Sequence, residues 1–157
     1  MIDAKRRILL KGSLAAGSVG VAVGAGLLAP RLVLAAWNET AFHAKDVPSA
    51  LTGLLGTDAK ETSDAIQIKA PDIAENGAVV PVTVETSLEG VKSISIIAEG
   101  NATPLIASFD LGESAVPFVS TRIKMGKTSD VIAVVQTGDK LLSNAKNVKV
   151  TIGGCGG

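Results

Sequence analysis

The chain ends Gly153-Gly154-Cys155-Gly156-Gly157, and Cys155 is its one cysteine. A thiol can serve as nucleophile, redox group or metal ligand, and its surroundings decide which. Four flanking glycines offer no side chain to bury the sulfur, and glycine takes φ > 0 as readily as φ < 0. Chain ends concentrate disorder, so the expectation is a thin, flexible arm carrying a thiol. A free thiol titrates near ~8.5. Nothing in the pentapeptide lowers that value, and the adjacent C-terminal carboxylate slightly opposes ionisation. No base, helix N-terminus or fixed oxyanion donor sits beside the cysteine, so it is badly placed to act as an autonomous catalyst. Metal binding is not expected, because one thiolate and the lone, distant His43 do not make a four-ligand site. Burial of Cys155 as a small hydrophobe would need apolar neighbours that the glycines do not provide. The chemistry that remains is that of a passenger site. A partner enzyme supplies charge and electrons, and the arm supplies access. A lone cysteine also makes no internal disulfide, so the core must carry the stability.

A second functional pattern lies at the other end. Asp3-Ala4-Lys5-Arg6-Arg7-Ile8-Leu9-Leu10-Lys11 is a charged start, followed by a weakly apolar Gly/Ala-rich run to Leu28 and by Ala35-Ala36. These are the three parts of a secretory signal, with the cut expected after Ala35 or Ala36. Arg6, Arg7 and Lys11 with the apolar pair between them resemble the bacterial twin-arginine export signal. Leu9 stands where phenylalanine is often found, and Lys5 where serine or threonine is usual. A retained transmembrane anchor is the competing reading. The glycine-broken run falls short of the ~20 strongly apolar residues a span needs, so cleavage and export to the periplasm are expected, with no stable membrane insertion afterwards. Such a signal implies export of an already folded protein.

Between these ends lies the body that must position the arm. The 157 residues suffice for one domain plus a targeting segment. Basic and acidic residues balance at 15 each, with five basic and one acidic residue up to Ala35, so the remainder has 10 basic and 14 acidic residues, a net −4. A mildly acidic body with 3% aromatic residues does not fit nucleic-acid binding. Glu39 to Leu55 reads as helical, with Phe42, Val47, Leu51, Leu54 and Leu55 at roughly helical spacing. Asp46 and Pro48 fit the start of a second helical segment, and Gly56 fits its stop.

After Ser63 the period becomes two. Strands are expected at Ile66–Ala70, Val80–Glu85, Ser93–Ile96, Leu105–Phe109, Phe118–Lys124, Val131–Val135 and Val148–Ile152. The nearly continuous apolar run Val131–Val135 fits a strand buried on both faces. Turn residues separate the runs, and Glu75-Asn76-Gly77 reads as a hairpin turn. The predicted fold is all-β, an immunoglobulin-like β-sandwich of about seven strands with a short N-terminal helical segment. The predicted organisation is a signal peptide over 1–35, helical preface plus sandwich over 36–152, and the arm over 153–157. Ile152 would be the last anchored residue, with Cys155 about 10 Å beyond it. Arg122 and Lys124 share one strand face. They could attract an anion or an acidic partner, or simply be a solvated face, and they are not assigned to the site.

The terminal run Val148-Lys149-Val150-Thr151-Ile152-Gly153-Gly154-Cys155-Gly156-Gly157 resembles the hallmark ending of the SoxY family, sulfur-carrier subunits of the bacterial thiosulfate-oxidising Sox system. Ala70–Val82, Pro104-Leu105 and Ser120–Met125 match as well, and the resemblance covers essentially the whole chain. It implies a periplasmic carrier paired with a second immunoglobulin-like subunit, SoxZ. It implies that SoxAX joins thiosulfate oxidatively to Cys155, that SoxB removes sulfate, and that the sulfur dehydrogenase SoxCD oxidises the remaining sulfane. By this carry-over Cys155 is the covalent attachment site, and Gly153, Gly154, Gly156 and Gly157 are the arm. The protein is then a carrier subunit, with no catalytic residues and no cofactor beyond the covalent sulfur intermediates. Two rivals stand beside it. One is a carrier using an activated Gly156-Gly157 carboxylate, which needs ATP-driven adenylation that the periplasm lacks. The other is a non-catalytic interaction domain, which leaves the Gly-Gly-Cys-Gly-Gly ending unexplained.

Overall fold

A computed structural model describes residues 38–138 and 140–151. The described residues begin with two short helices. Asn38 caps α1 (Glu39–His43), its side chain accepting from the Ala41 N–H at 3.0 Å. α2 (Val47–Leu55) starts as expected, with Asp46 accepting from the Ser49 N–H at 2.8 Å and Pro48 in the first turn. The Ser49 N–H and hydroxyl hold the Asp46 carboxyl below its usual range. Gly56 ends α2 in the left-handed region at φ 79°, where a side chain would be strained.

Nine strands follow: β1 (Glu61–Thr62), β2 (Ile66–Lys69), β3 (Ile73–Ala74), β4 (Val80–Thr86), β5 (Val91–Ala98), β6 (Leu105–Asp110), β7 (Phe118–Ile123), β8 (Ser129–Thr137) and β9 (Lys140–Val150). They form two sheets. One has the order β1-β9-β8-β5-β6, with β3 also paired to β9; the other is β2-β4-β7. This is the expected immunoglobulin-like sandwich. The seven predicted strands are all present, and β1 and β3 add two residues each.

Alternation explains how the layers pack. From β4, Val80, Val82 and Val84 meet Ile94, Ile96 and Ala98 of β5 and Val131, Ala133 and Val135 of β8 in the sandwich core. Intervening residues of the larger sheet face the other way. Ile97 and Val134 pack with Ala41, Ala50 and Leu51 under the helices. The run Val131–Val135 is thus covered on both faces, by the second sheet and by the helices, as its unbroken apolarity predicts. The two serines of β5 on the helix side are buried and paired, Ser95 with Ser108 at 3.0 Å and Ser93 with Gln136 at 3.3 Å.

Two expectations need correction. Glu75-Asn76-Gly77 is not a hairpin turn. Its preceding strand, β3, pairs with β9, and its following strand, β4, pairs with β2 and β7, so the segment crosses between sheets. The turn itself is local: Asn76 Oδ1 accepts from the Ala78 N–H at 2.9 Å, and the Asn76 carbonyl from the Val79 N–H at 3.3 Å. The last strand does not begin at Val148. It starts at Lys140, across a two-residue loop in which Gly138 takes φ 58°.

Candidate functional site: the base of the C-terminal arm

Cys155, Gly153, Gly154, Gly156 and Gly157 lie outside the described residues, as do Ile152 and the signal residues Arg6, Arg7 and Lys11. What the structure describes is the strand that leads into the arm and how that strand is held. β9 pairs antiparallel with β8 as far as Ser129↔Val148. Its other edge is taken first by β1 at Leu142 and Ser143, then by β3 at Lys149 and Val150, both in parallel.

The end of β9 is gripped from both sides. On the β3 side the Lys149 N–H donates to the Asp72 carbonyl at 3.0 Å, and the Thr151 N–H to the Ala74 carbonyl at 3.1 Å. The Thr151 hydroxyl lies 3.4 Å from both the Ala74 and the Glu75 carbonyl oxygens. On the β8 side, where ladder pairing has stopped, the Thr128 side chain stands in for a strand. Its hydroxyl accepts from the Val150 N–H at 2.9 Å and reaches the Val150 carbonyl at 3.4 Å. Lys146 and Asp72 add an ion pair at 3.0 Å, of little energetic weight because Asp72 is exposed. The chain is therefore held through Thr151, four residues before the cysteine.

Beneath this grip lies a close backbone approach. The Met125 N–H donates to the Gly77 carbonyl at 2.7 Å, and Met125 is buried. A Cβ on Gly77 would fall 2.8 Å from Val150 Cγ1 and closer still to the Met125 carbonyl oxygen. Here glycine is required by proximity rather than by φ. The expected result for Gly77→Ala is a loss of about 1–3 kcal/mol, the usual cost of overpacking, read as a lower denaturation midpoint at unchanged slope. Gly112→Ala is the control. A Cβ there meets nothing within 4 Å, so the change should stay within about 0.5 kcal/mol. Equal effects at the two sites would contradict this packing.

The same end of the sandwich carries an open cleft of about 620 Å³. The β5–β6 loop, residues 100–103, forms one wall, and Lys124, Gly126 and Lys127 form the other. Asn101 ties the walls together: its Nδ2 donates to the Lys124 carbonyl at 2.7 Å, and its Oδ1 accepts from the Gly126 N–H at 2.8 Å. The sequence pairs Lys124 with Arg122 on one strand face, and both are exposed. Arg122 lies in β7 opposite Pro81, on the outer face of the three-stranded sheet, whereas β7 ends at Ile123 and Lys124 borders the cleft. Sequence reasoning missed Thr128, Gly77 and Lys127. Only the fold brings them to the end of β9. Among the described residues, no cluster of His, Cys, Asp and Glu could hold a metal, and no helix is long and apolar enough to cross a membrane.

Comparison with known proteins bears on this arrangement. The family model "Sulfur oxidation protein SoxY" matches residues 51–155, from α2 to the cysteine. A comparison with curated proteins found no match. Among solved structures, the sulfur carrier protein SoxY from Chlorobium limicola f thiosulfatophilum aligns at 50% identity and TM-score 0.61, over 66% of this chain and 94% of its own. A superoxide reductase (neelaredoxin) from Ignicoccus hospitalis aligns at 17% identity and TM-score 0.52, over 59% of this chain and 95% of its own. At that identity the likeness is one of fold alone.

Proposed function

Because the chain belongs to the SoxY family of sulfur carrier proteins, we propose that it is a periplasmic carrier that holds thiosulfate-derived intermediates covalently on Cys155. On this reading it presents them to the Sox enzymes during oxidation of reduced sulfur to sulfate. The observation that carries the proposal is the family match running to Cys155 itself. The geometry supports it, since the strand leading to the arm is fixed through Thr151 by hydrogen bonds on both edges. A fixed base and a glycine tether let the thiol sample several active sites in turn while the body stays folded. The protein supplies position, and the partner enzymes supply the chemistry.

The same reading gives the chain a SoxZ partner, with SoxAX, SoxB and SoxCD as transient visitors. The outer edge of β7 has no strand beside it among the described residues. Val116 and Phe118 at its start are 78% and 50% exposed. An unpaired edge with apolar side chains is a surface that a second subunit can cover.

One experiment tests both parts. The protein is taken from the periplasm of thiosulfate-grown cells and its mass measured, first native and then after digestion. The expected result is a heterodimer whose terminal peptide carries extra sulfur on the Cys155 thiol. A monomer would remove the stable partner. Sulfur on the terminal carboxylate in place of the thiol would replace this carrier mechanism with the activated-carboxylate one.

A further inference from the structure

Among the asparagines of this chain, Asn76 stands apart chemically. It is followed by glycine, whereas Asn38, Asn101, Asn144 and Asn147 are followed by glutamate, alanine, alanine and valine. A backbone nitrogen attacks the side-chain amide of the preceding asparagine most easily when it belongs to glycine, because no Cβ crowds the approach. The other four asparagines also donate from Nδ2, in turn to the carbonyls of Gly53, Lys124 and Ile66 and to the Asp130 carboxylate. The Asn76 Nδ2 has no acceptor among the described residues. Asn76 is exposed, so its amide nitrogen can leave directly into water.

The local turn prepares the same reaction. Asn76 Oδ1 accepts from the Ala78 N–H at 2.9 Å. The ring closed by this hydrogen bond contains both Asn76 Cγ and the Gly77 nitrogen, the two atoms that would join. The Gly77 N–H has no acceptor among the described residues, so no hydrogen bond there must break first. As the nitrogen adds to Cγ, negative charge grows on Oδ1, where the Ala78 N–H already points.

We propose that Asn76-Gly77 is a self-modifying site, which converts to aspartate and isoaspartate in the folded protein and thereby alters the segment beneath the end of β9. The Gly77 nitrogen bonds to Asn76 Cγ and gives up its proton. The Cγ–Nδ2 bond breaks, and ammonia leaves with that proton, closing a succinimide. Water then opens the ring at either carbonyl, and nothing is oxidised or reduced. In the isoaspartate product the chain runs through Cβ and Cγ, so the backbone gains a methylene just before Gly77. The fold has no slack for it there. The Gly77 carbonyl holds the Met125 N–H at 2.7 Å, and a Cβ added to Gly77 would already lie 2.8 Å from Val150 Cγ1. Just upstream, the Ala74 carbonyl accepts from the Thr151 N–H at 3.1 Å, and the Glu75 carbonyl lies 3.4 Å from the Thr151 hydroxyl. The added length must loosen one of these contacts. The inference does not depend on the carrier reading.

The test uses mature protein with its co-purifying subunit, incubated in heavy-oxygen water at mildly alkaline pH. The expected result is that the tryptic peptide spanning 70–92 loses ammonia, takes up one heavy oxygen and splits into aspartate and isoaspartate forms. The peptides holding Asn101, Asn144 and Asn147 should lose ammonia at less than about one-tenth of that rate. Amide exchange at Met125 and Thr151 should quicken in the isoaspartate fraction. It should stay constant in an Asn76→Gln protein incubated in the same way, because the longer side chain closes an imide ring far more slowly. Asn76 that stays intact in the folded complex, while a free peptide of residues 70–92 loses ammonia, would overturn the proposal, since the turn would then protect the residue. Unchanged exchange at Met125 and Thr151 in the isoaspartate fraction would overturn the link to β9.

Discussion

Replacing Cys155 with serine is expected to reduce thiosulfate-dependent electron release to background in a reconstituted Sox system. Serine keeps the size of the side chain and removes the one atom that can bond covalently to sulfur. The four flanking glycines give residue 155 no neighbouring side chain to pack against, and the described hydrogen bonds that hold the end of β9 reach Thr151, four residues before it. The denaturation midpoint should therefore correspond to a change within about 0.5 kcal/mol. Loss of activity with unchanged stability separates a carrier thiol from a structural one. Retained activity would contradict the covalent mechanism, and loss of both would return the cysteine to a packing role.

The second large effect is expected at the other end of the chain. Replacing Arg6 and Arg7 by lysine keeps the charge but removes the paired guanidinium groups read by a twin-arginine receptor. The expected outcome is a precursor of full length in the cytoplasm and almost no mature protein in the periplasm, read by fractionation and mass. On the proposed export route the chain would cross the membrane already folded. β1 at residues 61–62 pairs with residues 142–143, and β3 at residues 73–74 with 149–150. The larger sheet cannot be completed until the last strand has been made. Normal periplasmic levels of the double variant would remove the twin-arginine assignment.

Much of the body was legible because its signals are local. Asp46, Pro48 and Gly56 mark the limits of α2 by their own chemistry, and alternation marks β4, whose valines all reach the core. The apolar run of β8 also declared that both its faces were covered. The lost details are non-local. β1 and β3 are two residues long and exist only because β9 offers them an edge, so no period announces them. The first eight residues of β9, Lys140–Asn147, mix Ser143, Asn144 and Lys146 into a strand whose neighbours in the fold satisfy polar groups: the Asn144 amide donates to the Ile66 carbonyl of β2 at 2.7 Å, and Lys146 pairs with Asp72. Asn76-Gly77 carried a turn signal that was correct as chemistry and wrong as topology. The same glycine that permits a turn is needed here to let Met125 and Val150 approach.

The candidate site divides in the same way. The thiol and its glycines could be read directly, because their chemistry is in the residue types. The grip by Thr128 and Thr151 could not, since a threonine hydroxyl that substitutes for a missing strand looks in sequence like any other surface threonine. Lys127 was equally silent until the fold set it across from Gly100 and one residue from the clamp on Val150.

The central claim is covalent carriage on Cys155, and isotopic labelling during turnover tests it most directly. Thiosulfate labelled separately at its sulfane and sulfone sulfurs is given to the reconstituted system, and the terminal peptide is quenched and followed by mass spectrometry over time. The account predicts that both labels appear on Cys155, that the sulfone label leaves first as sulfate, and that the sulfane label departs at the rate of overall turnover. Turnover that proceeds while Cys155 stays unlabelled, or while a label once attached never leaves, would contradict it.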